Sequence, residues 1–205
     1  MFVISTPRTA STLYCEMTCA DNALLHQIST KLATGLYNRE IFDVTMYSQE
    51  QIYHRFEQYK QLEIKPLIKI FPGMTPNFIL QWFLENDSPI FIERHDKLDQ
   101  ILSWGLGTYT KKWNTKRTSN FDKIEYLYPD FAYIASVIQH YEETKSKVLN
   151  PEVILTESVK TDIKTRQLND RTLPQENSEV NKIQFYSNNE QIMEWYNDWH
   201  ARTYN

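Results

Sequence analysis

The segment Ser5-Thr6-Pro7-Arg8-Thr9-Ala10-Ser11-Thr12 joins a short apolar run, Phe2–Ser5, to a stretch that can start a helix at Ser11. A polar loop in that position turns backbone N–H groups and the positive end of a helix dipole outward. Arg8, Ser11 and Thr12 add a fixed cation and hydroxyl donors. The chemistry this suits is anion binding. An ordinary strand-to-helix turn with a capping serine is the plainer reading of the same residues. Gly-x-x-x-x-Gly-Lys-Ser/Thr is absent, so no Ser/Thr follows a lysine where magnesium would be held, which counts against a magnesium-dependent kinase or NTPase.

A second constellation lies in Phe91-Ile92-Glu93-Arg94 and the residues after it. Pro89–Glu93 reads as a strand with Arg94 at its end, so its guanidinium emerges at the same sheet edge as the first loop. Ser103 lies on the helix that follows, from Asp96 to about Thr110. Taken singly, Arg94 could as well pair with Asp96 or Asp99, and Ser103 is a small polar helix residue. Taken with the first loop, they place two anion sites on one rim.

The elements that must position these residues alternate along the chain. After the first strand, a helix from Ser11 to about Ala20 and another through Leu24, Leu25, Ile28 and Leu32 are expected. Ser48 and Gln51 form a capping-box pattern for a helix buried through Ile52, Phe56 and Tyr59. Pro66–Phe71 reads as a strand. Thr75 then reads as an N-cap with Pro76 at the first helical position, and Phe78, Ile79, Trp82 and Phe83 as a core face. Beyond the Asp96 helix, Asp130–Lys147 is helical by Phe131, Ile134, Ala135, Ile138 and Tyr141, and Glu152–Thr156 is a strand. A final helix puts Ile192, Trp195, Tyr196 and Trp199 on one packing face. Strands alternating with helices imply α/β architecture, a parallel sheet flanked by helices, and ligands at the carboxyl ends of the strands.

Composition narrows the class. The 205 residues are 41% hydrophobic and 14% aromatic, enough for one domain spanning 1–205. With 22 Lys+Arg against 26 Asp+Glu the net charge is −4, so no global basic field exists to hold a nucleic-acid backbone. The longest apolar stretches, Asn77–Leu84 and Phe131–Ile138, fall short of a membrane span, and the opening Met1-Phe2-Val3-Ile4 has no signal-peptide pattern, so a cytoplasmic location is expected. Cys15 and Cys19, even joined by His26, do not complete a four-ligand zinc site, and no metal is expected. Two segments stand out. Gly107–Lys123 is locally basic, with Lys111, Lys112, Lys116, Arg117 and Lys123 around Tyr109 and Trp113, and Ser158–Lys182 is polar. Each reads either as a solvated loop or as a cover over an active site.

At this point the chain resembles the sulfotransferase family, whose donor is 3′-phosphoadenosine 5′-phosphosulfate (PAPS). Pro7 through Thr12 looks like that family's 5′-phosphosulfate loop, and Arg94 with Ser103 looks like its 3′-phosphate motif. The nine-residue step from Arg94 to Ser103 is similar to the bacterial trehalose sulfotransferase type. The resemblance spans roughly residues 1–104 and departs at Ala10, where the family carries glycine. It implies a P-loop-like domain that moves a sulfuryl group from PAPS to an acceptor hydroxyl by in-line displacement and releases 3′,5′-diphosphoadenosine (PAP). Pro7, Arg8, Thr9, Ala10, Ser11, Thr12, Arg94, Ser103 and, by family habit, Arg171 would hold the donor. Lys69 matches the family's strand-end lysine, and Arg8 and Lys69 would neutralise the reacting oxygens. The histidine that often follows is replaced by Phe71-Pro72; several bacterial and carbohydrate members use a glutamate instead, and Asn38-Arg39-Glu40-Ile41-Phe42 looks like their Glu-Tyr-Phe segment, so the resemblance implies Glu40 as the base, with His26, His54 and His95 as alternatives. The acceptor would be a small molecule or a carbohydrate, with neither nucleic acid nor a membrane span involved. A nucleotide or nucleoside kinase and a non-catalytic module binding an adenosine diphosphate stand as alternatives.

Overall fold

Phe2-Val3-Ile4 is apolar at every position because it is buried on both faces, as the inner strands of parallel sheets are. It forms β1 (Phe2–Ile4), on which the sheet is built. The structure, a computed structural model, describes residues 2–9, 11–20, 40–110, 122–159 and 181–204. The chain divides into two units, Met1–His95 with His140–Arg166, and Asp96–Gln139 with Gln167–Asn205.

The first unit holds a four-stranded sheet in the order β2-β1-β3-β4, with β2 (Ile68–Ile70), β3 (Pro89–Glu93) and β4 (Glu152–Leu155). All three ladders are parallel: Val3 lies opposite Lys69 on one side and Ile90 on the other, and Phe91 lies opposite Val153. The fold is therefore α/β, as the alternation of elements implies. From β1 the chain moves to one side to make β2 and then crosses to the other side to make β3. The direction of winding thus reverses between β1 and β3. The strands are shorter than their apolar runs, since Pro66 and Phe71 flank β2 and Ser5 follows β1.

Helices α1 (Ser11–Ala20), α2 (Gln49–Gln61) and α3 (Asn77–Asn86) belong to this unit. Ser48 and Gln51 make the expected capping box, and Ile52, Phe56 and Tyr59 are the buried stripe of α2. The start of α3 differs from the expected pattern. Pro76 itself is the N-cap, with no side-chain cap bond, and Phe78 is 53% exposed instead of in the core. The buried face of α3 is Ile79, Leu80 and Phe83, with Trp82 half-buried beside it. Phe83 lies at the centre of an aromatic cluster, with ring centroids 5.1 Å from Phe2, 5.9 Å from Phe42 and 5.2 Å from Tyr59.

In the second unit, α4 (Lys97–Thr110) is followed by α5 (Tyr128–Ser146), whose residues up to Gln139 belong here and whose remainder belongs to the first unit. A 3-10 turn, Lys182–Phe185, leads into α6 (Asn189–Tyr204). Tyr126 and Tyr186 stack with centroids 5.0 Å apart, and their hydroxyls donate to the Ile101 and Leu102 carbonyls of α4. Gly105 makes this possible, since a Cβ there would stand 2.7 Å from the Tyr126 ring. On α6, Ile192 and Trp199 are buried, while Trp195 and Tyr196 are half-buried. No helix among the described residues is long and apolar enough to cross a membrane. The helix expected through Leu24–Leu32, Trp113 with most of the basic segment, and residues 160–180 of the polar segment lie outside the described residues.

Phe83→Ala should destabilise the protein by about 3–5 kcal/mol, the usual cost of emptying a buried aromatic site. Phe78→Ala should cost under about 1 kcal/mol, as surface changes do. Urea denaturation of both variants measures the difference and checks the register of α3.

Candidate functional site

The loop after β1 is tied to the carboxyl ends of the other three strands. The Ser5 N–H donates to the Ile70 carbonyl of β2 at 3.1 Å, which extends the ladder by one bond. Arg94, the residue after β3, donates from Nη1 to the Arg8 carbonyl at 3.3 Å. Thr156, the residue after β4, donates from its hydroxyl to the Thr9 carbonyl at 2.8 Å. Inside the loop the Thr9 hydroxyl donates to the Thr6 carbonyl at 2.8 Å. Arg8 adopts φ 70°, a left-handed conformation that costs an L-residue about 1–2 kcal/mol and persists where surrounding bonds over-determine it. Strain of that kind concentrates at binding loops.

This loop and Arg94 stand on either side of the β1/β3 reversal, where ligands of open α/β sheets bind. Arg94 is only 8% exposed and Ser11, the first residue of α1, is buried. The Ser5 hydroxyl is fully buried and has no hydrogen-bond partner among the described residues.

A second cluster forms beside β2. Lys69 sits in a strand whose every residue is buried, is itself 4% exposed, and pairs through Nζ with Glu40 Oε1. Its ammonium also lies 5.3 Å from the Phe71 ring centroid. The segment that carries Glu40 is held in place by the Val44 N–H, which donates to the Met74 carbonyl at 2.9 Å in the turn after β2. Gly73, at φ 82°, lets that turn close.

Asp43 completes the cluster, and sequence reasoning does not single it out. Its amide donates to the Glu40 carbonyl at 3.2 Å, and its Oδ1 accepts from both the Thr45 N–H and the Thr45 hydroxyl at 2.7 Å. Burial pushes the Asp43 carboxyl above its ordinary value, with Glu40 adding to the rise and Thr45 and Lys69 opposing it. The only sequence signal was an Asp two residues before a Thr, which reads as a turn.

The structure thus brings Arg8, Thr9 and Arg94 together at one place and Glu40 and Lys69 together at another, both in the first unit. Ser103 belongs to the second unit, where it is buried on α4 in a row with Lys97 and Gln100, also buried. Asp96 accepts the Asp99 N–H at 2.8 Å, and Asp99 pairs with Lys182. His54 and His95 are exposed. Ala10, His26 and Arg171 lie outside the described residues, as does the side chain of Thr12.

No protein-family model, curated protein or solved structure matches the chain. A functional reading therefore rests on geometry: a strained loop at Arg8 with the Arg94 guanidinium against its backbone, and a buried lysine–carboxylate cluster beside the same sheet.

Because its pKa is raised in the folded state, Asp43 retains its proton to higher pH there than in the unfolded chain. Its contribution to stability falls as pH rises from the ordinary value toward the raised one. Asp43→Asn keeps an acceptor for Thr45 and removes that fall. Urea midpoints of the variant between about pH 3.5 and about pH 7 should decline less steeply than those of the parent.

Proposed function

We propose that the protein is a PAPS-dependent sulfotransferase acting on the hydroxyl of a small molecule or carbohydrate. The observation that carries this reading is the loop after β1, held in a left-handed turn at Arg8 by bonds from three strand ends, with Arg94 against its backbone. A loop fixed in this way has its donors oriented before a ligand arrives, which is how anionic groups are held at little reorganisation cost. The residues fit an anionic donor. Arg8 and Ser11 flank the start of α1, where helix N–H groups point outward, and Arg94 supplies a second guanidinium suited to the planar recognition of a phosphate.

The donor, when bound, supplies the activated sulfuryl group. Arg8 neutralises charge on the departing oxygen, and Arg94 holds the second phosphate that distinguishes this donor from ATP. Glu40 accepts the proton of the acceptor hydroxyl at a carboxylate oxygen. Lys69, buried and paired with Glu40, orients that carboxylate and places a positive charge beside it. The proposal draws on first-unit residues alone. A non-catalytic module that binds an adenosine diphosphate is the second reading. It is favoured by Phe71-Pro72 standing after Lys69 where the resembled family often carries a histidine.

Isothermal titration with PAP in the absence of metal should show binding. Arg94→Ala should weaken it by about thirtyfold, near 2 kcal/mol. Glu40→Gln should leave that binding intact while lowering sulfuryl transfer from PAPS to a panel of sugar and alcohol acceptors by roughly 10²–10⁴-fold. Binding with no transfer by the parent protein would support the non-catalytic module. A preference for ATP with magnesium, or no binding of PAP, would overturn both readings.

A further inference from the structure

A groove of about 450 Å³ lies wholly within the second unit, between the first half of α5 and α6. We propose that it is a binding site for a saccharide, separate from the donor loop and independent of the transfer reaction proposed above. Its volume falls in the range of small-molecule sites.

The walls are aromatic. Tyr128, the first residue of α5, is 52% exposed, and its ring meets that of Trp195 edge-on at 5.2 Å. Phe131, one turn further along α5, lies 5.8 Å from the same indole. Trp195 and Trp199 stand one helical turn apart on α6, so both indoles face the groove. The exposed tyrosine ring and the half-buried indole offer flat apolar faces on which the C–H side of a pyranose packs.

The rim has a different chemistry. Glu194, Asp198 and Arg202 line the groove, and Asp198 pairs with Arg202 in an exposed ion pair. These are planar groups with paired acceptors or donors, the kind that reads adjacent hydroxyls two at a time. Deeper in the wall, the Trp199 indole N–H is buried with no hydrogen-bond partner among the described residues.

Alternatives in ligand chemistry fit less well. The two carboxylates disfavour a polyanion, and Arg202 disfavours a strongly cationic ligand. A purely apolar ligand would strip water from Glu194 and Asp198 with nothing in return. A saccharide alternates C–H faces with hydroxyl edges, and so matches an aromatic wall under a planar polar rim.

The test is a tryptophan-fluorescence titration of the full chain with maltose, lactose and N,N′-diacetylchitobiose. At least one sugar should give a saturable change with millimolar or tighter affinity. Trp195→Ala and the exposed, conservative Asp198→Asn should each weaken it about tenfold or more. Arg94→Ala, a change in the first unit, should leave it unchanged. No saturable response to any of the three sugars up to about 20 mM, or a response untouched by both groove variants, would overturn the proposal. PAP binding reports on residues of the first unit only, so failure of either proposal is read separately.

Discussion

The loop between β1 and α1 depends on hydrogen bonds that arrive from the ends of β2, β3 and β4. Each comes from a different part of the chain, and each needs its strand in register with β1. The parallel sheet is therefore more than a support. Its order sets which side chains arrive at the loop, and its register sets how far each reaches. A left-handed arginine would relax to an ordinary conformation without such ties. With them, the strain is held in place at the point where the sheet reverses its direction of winding.

A second consequence of the same sheet is a charged group in an apolar layer. Lys69 occupies the middle of β2, between Ile68 and Ile70, and the strand's burial leaves its ammonium without bulk water. Glu40 and Asp43 answer that charge from a segment anchored to the turn after β2. Such a cluster is weak as a source of stability, because desolvation offsets most of the attraction. Its value lies in fixing one carboxylate against one ammonium.

The second unit is organised by hydroxyls and rings. Tyr126 and Tyr186 stack, and both donate to successive carbonyls of α4 beside Gly105, so a polar handle and an apolar body are satisfied together. Burial raises the Tyr126 hydroxyl well above its ordinary value, which keeps it a donor. On α6 the half-buried Trp195 and the buried Trp199 both line the groove.

Much of this was legible in the chain. Apolar runs marked β1, β2 and β3, three-and-four spacing marked α2 and α5, and Ser48 with Gln51 marked a helix start, because these features are local and follow backbone period or a single cap. The polar loop after β1 and the place of Arg94 after β3 were legible for the same reason, as residues at strand ends. Tertiary structure alone decided the strand order, the tie of Arg94 and Thr156 to the loop, the Glu40–Lys69–Asp43 cluster and the exposure of Phe78. Those depend on which distant segments pack together and on which side of a helix they cover. Neither is encoded in any window of sequence, since both are settled by the burial free energy of the whole unit.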